Sequence, residues 1–183
     1  MIEIRIHGRG GQGSVTMAEL LAEAIFYDGK FSQAFPNFGV ERRGAPVEAY
    51  VRIDDKFIRL RSQIYEPDYI IIQDESLINI VEIFKGAKKG TIVLINTKRS
   101  AVEFKAPPGV AIKTIAATDI ATETIGKPIF NTVLVGAFAG LSGLVSFKAV
   151  EKAISKKFEG EVGKKNIEAA KRGYEVVSNN LVL

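Results

Sequence analysis

The sequence contains no cysteine, so it can form no disulfide and offers no thiolate to an iron–sulfur cluster or a structural zinc. One histidine and two methionines leave almost nothing for a metal site or for redox chemistry of its own. No charge of one sign dominates: 25 basic less 21 acidic residues give +4. That balance fits an anionic ligand or an acidic partner better than nucleic acid, which wants a concentrated basic face. The one long uncharged run, Ile129 to Phe147, approaches the ~20 residues of a membrane span. It is interrupted by Asn131, Thr132, Ser142, Ser146 and glycines, and Gly136, Gly140 and Gly143 would let a helix pack closely. The run therefore reads as a helix buried in the core or at a subunit interface, and neither a membrane nor a nucleic acid is expected as partner. The opening "MIEIRIHGRG" is charged and turns glycine-rich at once, unlike a signal peptide, so a cytoplasmic location is expected.

What is present reads as one α/β domain over residues 1–183, with 46% apolar content, enough for a full core. "IEIRIHG" (2–8) alternates apolar and charged residues as a strand does. Val15, Ala18, Leu21, Ala22, Ile25 and Phe26 have helical spacing over 14–28, with Gly29 as the C-terminal cap. "KFSQAF" reads as a second strand, broken by Pro36-Asn37-Phe38-Gly39. "PVEAYVRI" and "KFIRLRS" alternate around Asp54-Asp55 and predict an antiparallel hairpin. "YIIIQD" (69–74) and "TIVLIN" (91–96) are continuous apolar runs ending in polar residues, the pattern of parallel strands buried on both faces. A helix at about 76–85 is expected between them. "VAIKTI" predicts a further strand, followed by helices near 118–125, 131–144, 147–158 and 164–181, the last two separated by Gly160-Glu161-Val162-Gly163. The fold class is α/β: a Rossmann-like, mostly parallel sheet with a β-hairpin insertion and a helical C-terminal third.

The candidate site lies at the first turn. "HGRGGQG" follows a strand and leads into a helix, with Gly8, Gly10 and Gly13 at G-x-G-x-x-G spacing. In that arrangement backbone N–H groups and a helix N-terminus can hold a phosphate, Arg9 adds charge, and Gly10 and Gly11 admit a ligand to the backbone. The same glycines can equally serve tight strand–helix packing. A dinucleotide site wants an acidic residue after the second strand, and "KFSQAFPNFG" has none. The phosphate loop of nucleotide triphosphatases is excluded, because Ser14 and Val15 stand where Lys and Ser/Thr are required. His7 reads as a structural hydrogen-bonder rather than a base. No catalytic constellation is visible, so no residue is assigned a catalytic or metal-binding role.

A second cluster, "PNFGVERRGAPVEAYVRI" (36–53), carries an aromatic-glycine turn, the run Glu41-Arg42-Arg43 and Gly44 before a strand. With "GRGGQG" (8–13), "FGVERRGAPV" (38–47), "PDYIIIQD" (67–74), "FNTVLVGAFAG" (130–140) and "NIEAAKRGYE" (166–175), the whole chain resembles the gamma subunits of the 2-oxoacid:ferredoxin oxidoreductases, most closely those of pyruvate:ferredoxin oxidoreductase. Ala45 departs from the pattern, which often has a second glycine there.

The resemblance implies a component of an enzyme that converts a 2-oxoacid, coenzyme A and oxidised ferredoxin to acyl-CoA, carbon dioxide and reduced ferredoxin. It implies that thiamine diphosphate, Mg2+ and the iron–sulfur clusters belong to the alpha, beta and delta subunits of a hetero-oligomer, with none held by this chain alone. Ferredoxin would be reached through the complex. The site residues it points to are Gly8, Arg9, Gly10, Gly11, Gln12 and Gly13 with Arg42 and Arg43, as contacts for the phosphates of coenzyme A; ion pairs with a neighbouring subunit are the other reading of the arginines. An independent NAD(P)-binding oxidoreductase and a purely structural assembly subunit remain as alternatives.

Overall fold

The computed structural model describes residues 1–37 and 42–179, so Phe38 to Glu41 of the second motif and the last residues of the expected C-terminal helix lie outside the described residues. Six strands form one sheet in the order β2-β3-β1-β4-β5-β6. They are β1 (Ile2–Arg9), β2 (Phe31–Pro36), β3 (Pro46–Asp54), β4 (Tyr69–Ile72), β5 (Ile92–Asn96) and β6 (Ala111–Ile115). β1, β4, β5 and β6 pair in parallel, while β3 is antiparallel to both β1 and β2. β3 is therefore the lone reversed strand in an otherwise unidirectional sheet. The β-hairpin insertion exists, but β2 and β3 form it.

Among the described residues, five helices follow from the periodicities read above: α1 (Ser14–Tyr27), α2 (Ala117–Ile125), α3 (Asn131–Ser142), α4 (Phe147–Lys157) and α5 (Gly160–Asn179). They share one face of the sheet, where Ile4, Ile6, Val51, Ile71, Leu94 and Ile115 join their apolar sides in a single core. α3 is buried along most of its length, which places the uncharged run inside the chain. Gly136 lies so close to α5 that a Cβ would collide with the carbonyl of Ala170, and a Cβ on Gly140 would stand 2.6 Å from that of Tyr174. Gly143 has another role: at φ 63° it caps α3 and touches nothing. Among the described residues no helix is long and apolar enough to cross a membrane.

The opposite face differs along its width. Under β4 and β5 it is apolar, with Ile70, Ile72, Val93 and Ile95 packed against Leu77 and Ile83. Under β1 and β3 it carries Arg5, His7, Tyr50 and Arg52, all buried. The covering chain is irregular, and two expectations fail here. Residues 56–62 form no strand; the Arg52 guanidinium, 1% exposed, instead donates to the carbonyls of Ser62 at 2.7 Å and Gln63 at 3.3 Å and pairs with Glu3 at 2.8 Å. The helix expected at 76–85 is only a 3-10 turn, Glu75–Asn79, after which Arg5 takes the carbonyls of Ile83 at 2.9 Å and Lys85 at 2.6 Å. Gly160 to Gly163, expected to separate two helices, is instead the first turn of α5.

Candidate functional site

β1 runs into the glycine loop, and α1 starts immediately after it with Gly13 at φ 76° as its cap. Gly13 has no side chain, so the first amides of α1 are left without a side-chain cap. The loop is closed on itself by Gln12, whose amide donates to the Arg9 carbonyl at 2.9 Å and whose Oε1 accepts from the Arg9 amide at 2.8 Å. It is also stitched to the second motif. The Gly10 amide donates to the Ala45 carbonyl at 2.8 Å, and the Gly44 amide donates to the Gly10 carbonyl at 3.0 Å. A Cβ on Gly10 would strike the Arg42 carbonyl, and one on Gly8 would strike Gln73 and Ser14. Gly11, at φ 93°, sits in backbone space that favours glycine whatever binds there. The two motifs, more than thirty positions apart in the chain, thus form one surface.

The arginines on that surface differ in kind. Arg9 is half-buried and tied to the protein's own acceptors: Nε donates to Asp74 at 2.9 Å, Nη1 to the Gly44 carbonyl at 2.9 Å and Nη2 to Ser76 Oγ at 2.6 Å. Gln12 Nε2 adds a donor to the same Asp74 oxygen at 3.2 Å. Partial burial alone would raise the Asp74 pKa, but hydrogen bonds from Ser76, Gln12 and Arg9 outweigh it and hold the carboxyl below the usual range. Arg42 and Arg43 are exposed and have no ion pair or side-chain hydrogen bond among the described residues. They are the cations this surface presents outward.

The other half of the site comes from residues that the sequence reading did not single out. Gln73, directly after β4, accepts from Ser14 Oγ at 2.6 Å and donates to Asn131 Oδ1 at 3.3 Å. Asn96, at the end of β5, donates to the Gln73 carbonyl at 3.0 Å and to Thr118 Oγ1 at 2.9 Å. Gln73, Asn96 and Thr118 border an open cleft of about 530 Å³ at the carboxyl ends of β4, β5 and β6, whose rim includes Gln12, Asp74, Lys98 and Arg99. Ligands of open α/β sheets bind at this end of the strands, beside the point where strand order reverses, here between β1 and β4. The available signal was the polar residue closing each apolar strand, "IIIQD" and "VLIN".

His7 is 2% exposed, accepts from Arg5 Nε at 3.1 Å, and lies 3.5 Å from Glu48. Burial lowers its pKa to about 4, against the raising influence of Glu48, so it is neutral at physiological pH. It braces the sheet, as the sequence reading held. Ser14 donates to the Gln73 amide oxygen, which takes up no proton, and Ser76 donates to Asp74, whose lowered pKa makes it a weak base, so neither serine is set up as a nucleophile. Among the described residues no group of His, Cys, Asp and Glu is arranged to hold a metal.

Sheet, loop and cleft together define an α/β protein with an anion-compatible surface and, among the described residues, no catalytic pair. Residues 3–176 match the family described as pyruvate ferredoxin/flavodoxin oxidoreductase. Pyruvate synthase subunit PorC of Methanocaldococcus jannaschii is 57% identical, across 95% of this chain and 96% of that one. The pyruvate/ketoisovalerate oxidoreductases common subunit gamma of Thermococcus litoralis is 52% identical, across 96% of each. The crystal structure of pyruvate oxidoreductase subunit PORC from Thermotoga maritima superposes with a TM-score of 0.84 at 38% identity, covering 95% of both chains. The chain belongs to the pyruvate ferredoxin/flavodoxin oxidoreductase family.

Proposed function

We infer that this chain is the gamma subunit of a multi-subunit pyruvate:ferredoxin oxidoreductase. The observation that carries the reading is the similarity to PorC over nearly the full length of both chains at 57% identity. The reading also accounts for a chain with no catalytic pair: the chemistry sits elsewhere in the complex, and the independent NAD(P)-binding enzyme is set aside. Thiamine diphosphate supplies the carbanion in such reactions, and the iron–sulfur clusters find no thiolate ligand here, since the chain has no cysteine. They and Mg2+ belong to the alpha, beta and delta partners, through which ferredoxin is also served.

What this chain contributes is assembly and part of the coenzyme A region. The fit for coenzyme A is the joined surface of Gly8–Gly13 and Arg42–Arg43, where uncapped amides of α1 and outward guanidiniums can meet phosphate. Arg9 shapes that surface through Asp74, while Arg42 and Arg43 supply the contacts. The test is the Michaelis constant for coenzyme A in reconstituted complexes. Arg42→Ala with Arg43→Ala should raise it roughly tenfold or more, the scale of ~1–3 kcal/mol for charge-assisted hydrogen bonds. The Michaelis constant for pyruvate should stay unchanged. A parent value for coenzyme A in the assembled double variant would reduce the loop to a packing element and leave a purely structural subunit.

A further inference from the structure

The outer edge of β2 is built to receive another strand. β2 stands first in the sheet and, among the described residues, pairs with β3 alone, so its outer side presents backbone groups with no neighbouring strand among them. Edges of this kind are normally blunted by charge or cover, yet here Phe31 is 45% and Phe57 71% exposed, their rings edge-to-face at 6.1 Å. The segment after β3, pinned by the buried guanidinium of Arg52, runs beside the edge without closing on it. Two adjoining clefts, about 510 Å³ and about 340 Å³, remain between them and share Gln33 and Arg61 in their walls. At that shared point the Gln33 Oε1 is buried and accepts no hydrogen bond among the described residues. A buried acceptor left alone is costly, and a donor brought by a partner would relieve it once the Gln33 side chain turns outward. Arg59 and Arg61 are exposed and form no ion pair among the described residues.

We propose that this groove receives an extended, carboxylate-bearing segment of another subunit, added as a strand beside β2. Its backbone would complete the ladder and supply an N–H to Gln33, apolar side chains would cover Phe31 and Phe57, and carboxylates would meet Arg59 and Arg61. A second copy of this chain does not fit. Two-fold pairing of β2 with itself would bring Arg61, at the middle of the groove, against its own copy, and like charges placed together disfavour the wrong partner. The proposal rests on the gamma-subunit reading but names a surface that the reading leaves open, at the edge strand two places from β1 in the sheet.

The experiment measures affinity of this chain for the remaining subunits of the complex. The variant Arg59→Glu with Arg61→Glu changes exposed side chains only, so its melting temperature should match the parent. Its affinity should fall at least about tenfold, and parent binding should weaken with rising salt. In the parent complex, the outward amides of β2 should gain protection from hydrogen exchange. Unchanged affinity in a variant that folds overturns the proposal and leaves the gamma-subunit reading intact. So does loss of self-association with partner affinity unchanged, which would make the groove a contact between copies. A parent chain that binds none of the other subunits removes the proposal and the gamma-subunit reading together.

Discussion

On the helical face of the sheet, Ile4, Val51, Ile71 and Leu94 meet helices rich in alanine and glycine; on the other, Arg5, His7, Tyr50 and Arg52 fill the half beneath β1 and β3. The first is held by apolar contact, which needs no direction and rewards close approach. The second is held by guanidinium groups that reach the carbonyls of chain segments having no regular structure. Buried arginine thus does for irregular cover what hydrogen-bond ladders do for helices: it satisfies backbone groups that would otherwise be orphaned.

If that contrast is right, the polar face is the more fragile under a single substitution. Arg52→Met keeps bulk but leaves Glu3 and the carbonyls of residues 62 and 63 without their donor. The expected loss is about 3–5 kcal/mol in denaturant unfolding, the scale for breaking a buried charged pair. Amide exchange should accelerate first in residues 57–63. A loss under about 1 kcal/mol would mean that the segment is held by something else.

On the helical face, Gly136→Ala forces a methyl group against the Ala170 carbonyl and should cost about 3 kcal/mol, near the upper end for overpacking. Gly143→Ala, in open space at φ 63°, should cost only about 1 kcal/mol. Equal losses would contradict the close packing of α3 on α5.

A pH series separates the faces further. The His7 pKa falls from 6.5 to about 4 on folding, chiefly through burial. Between those values the unfolded chain binds a proton that the folded chain refuses, so stability is fully present above about pH 6.5 and declines as pH falls towards 4. The contribution is at most about 3 kcal/mol at the acid end, from ~1.4 kcal/mol per pKa unit. His7→Asn should flatten that part of the profile; an unchanged slope would show that other groups carry it.

The same contrast explains what the sequence disclosed. Strands β1, β4, β5 and β6 and helices α1 to α4 were legible because apolar periodicity records which face is buried. "KFIRLRS" alternates like a strand and Leu77, Val81 and Phe84 are spaced like a helix, but long-range claims on their neighbouring carbonyls by Arg52 and Arg5 decide otherwise. Nothing local in either segment records a partner contributed by a distant strand. The site divides in the same way. Its glycine loop and arginine motif are local patterns, whereas Gln73, Asp74, Asn96 and Asn131 meet only once parallel strand ends are stacked. Arg9 reads from the sequence as a charge in the turn for a phosphate or a neighbouring subunit, and its pairing with Asp74, beyond another strand end, is invisible until the sheet forms.

The dependence proposed is that this chain carries no chemistry alone and is needed by subunits that do. Its most direct test is pyruvate- and coenzyme A-dependent reduction of a viologen dye by this chain, by the remaining subunits, and by the two recombined. No turnover is expected from the chain alone, greatly reduced turnover from the remaining subunits, and restoration on recombination. Turnover by the purified chain, or full activity in its absence, would contradict it.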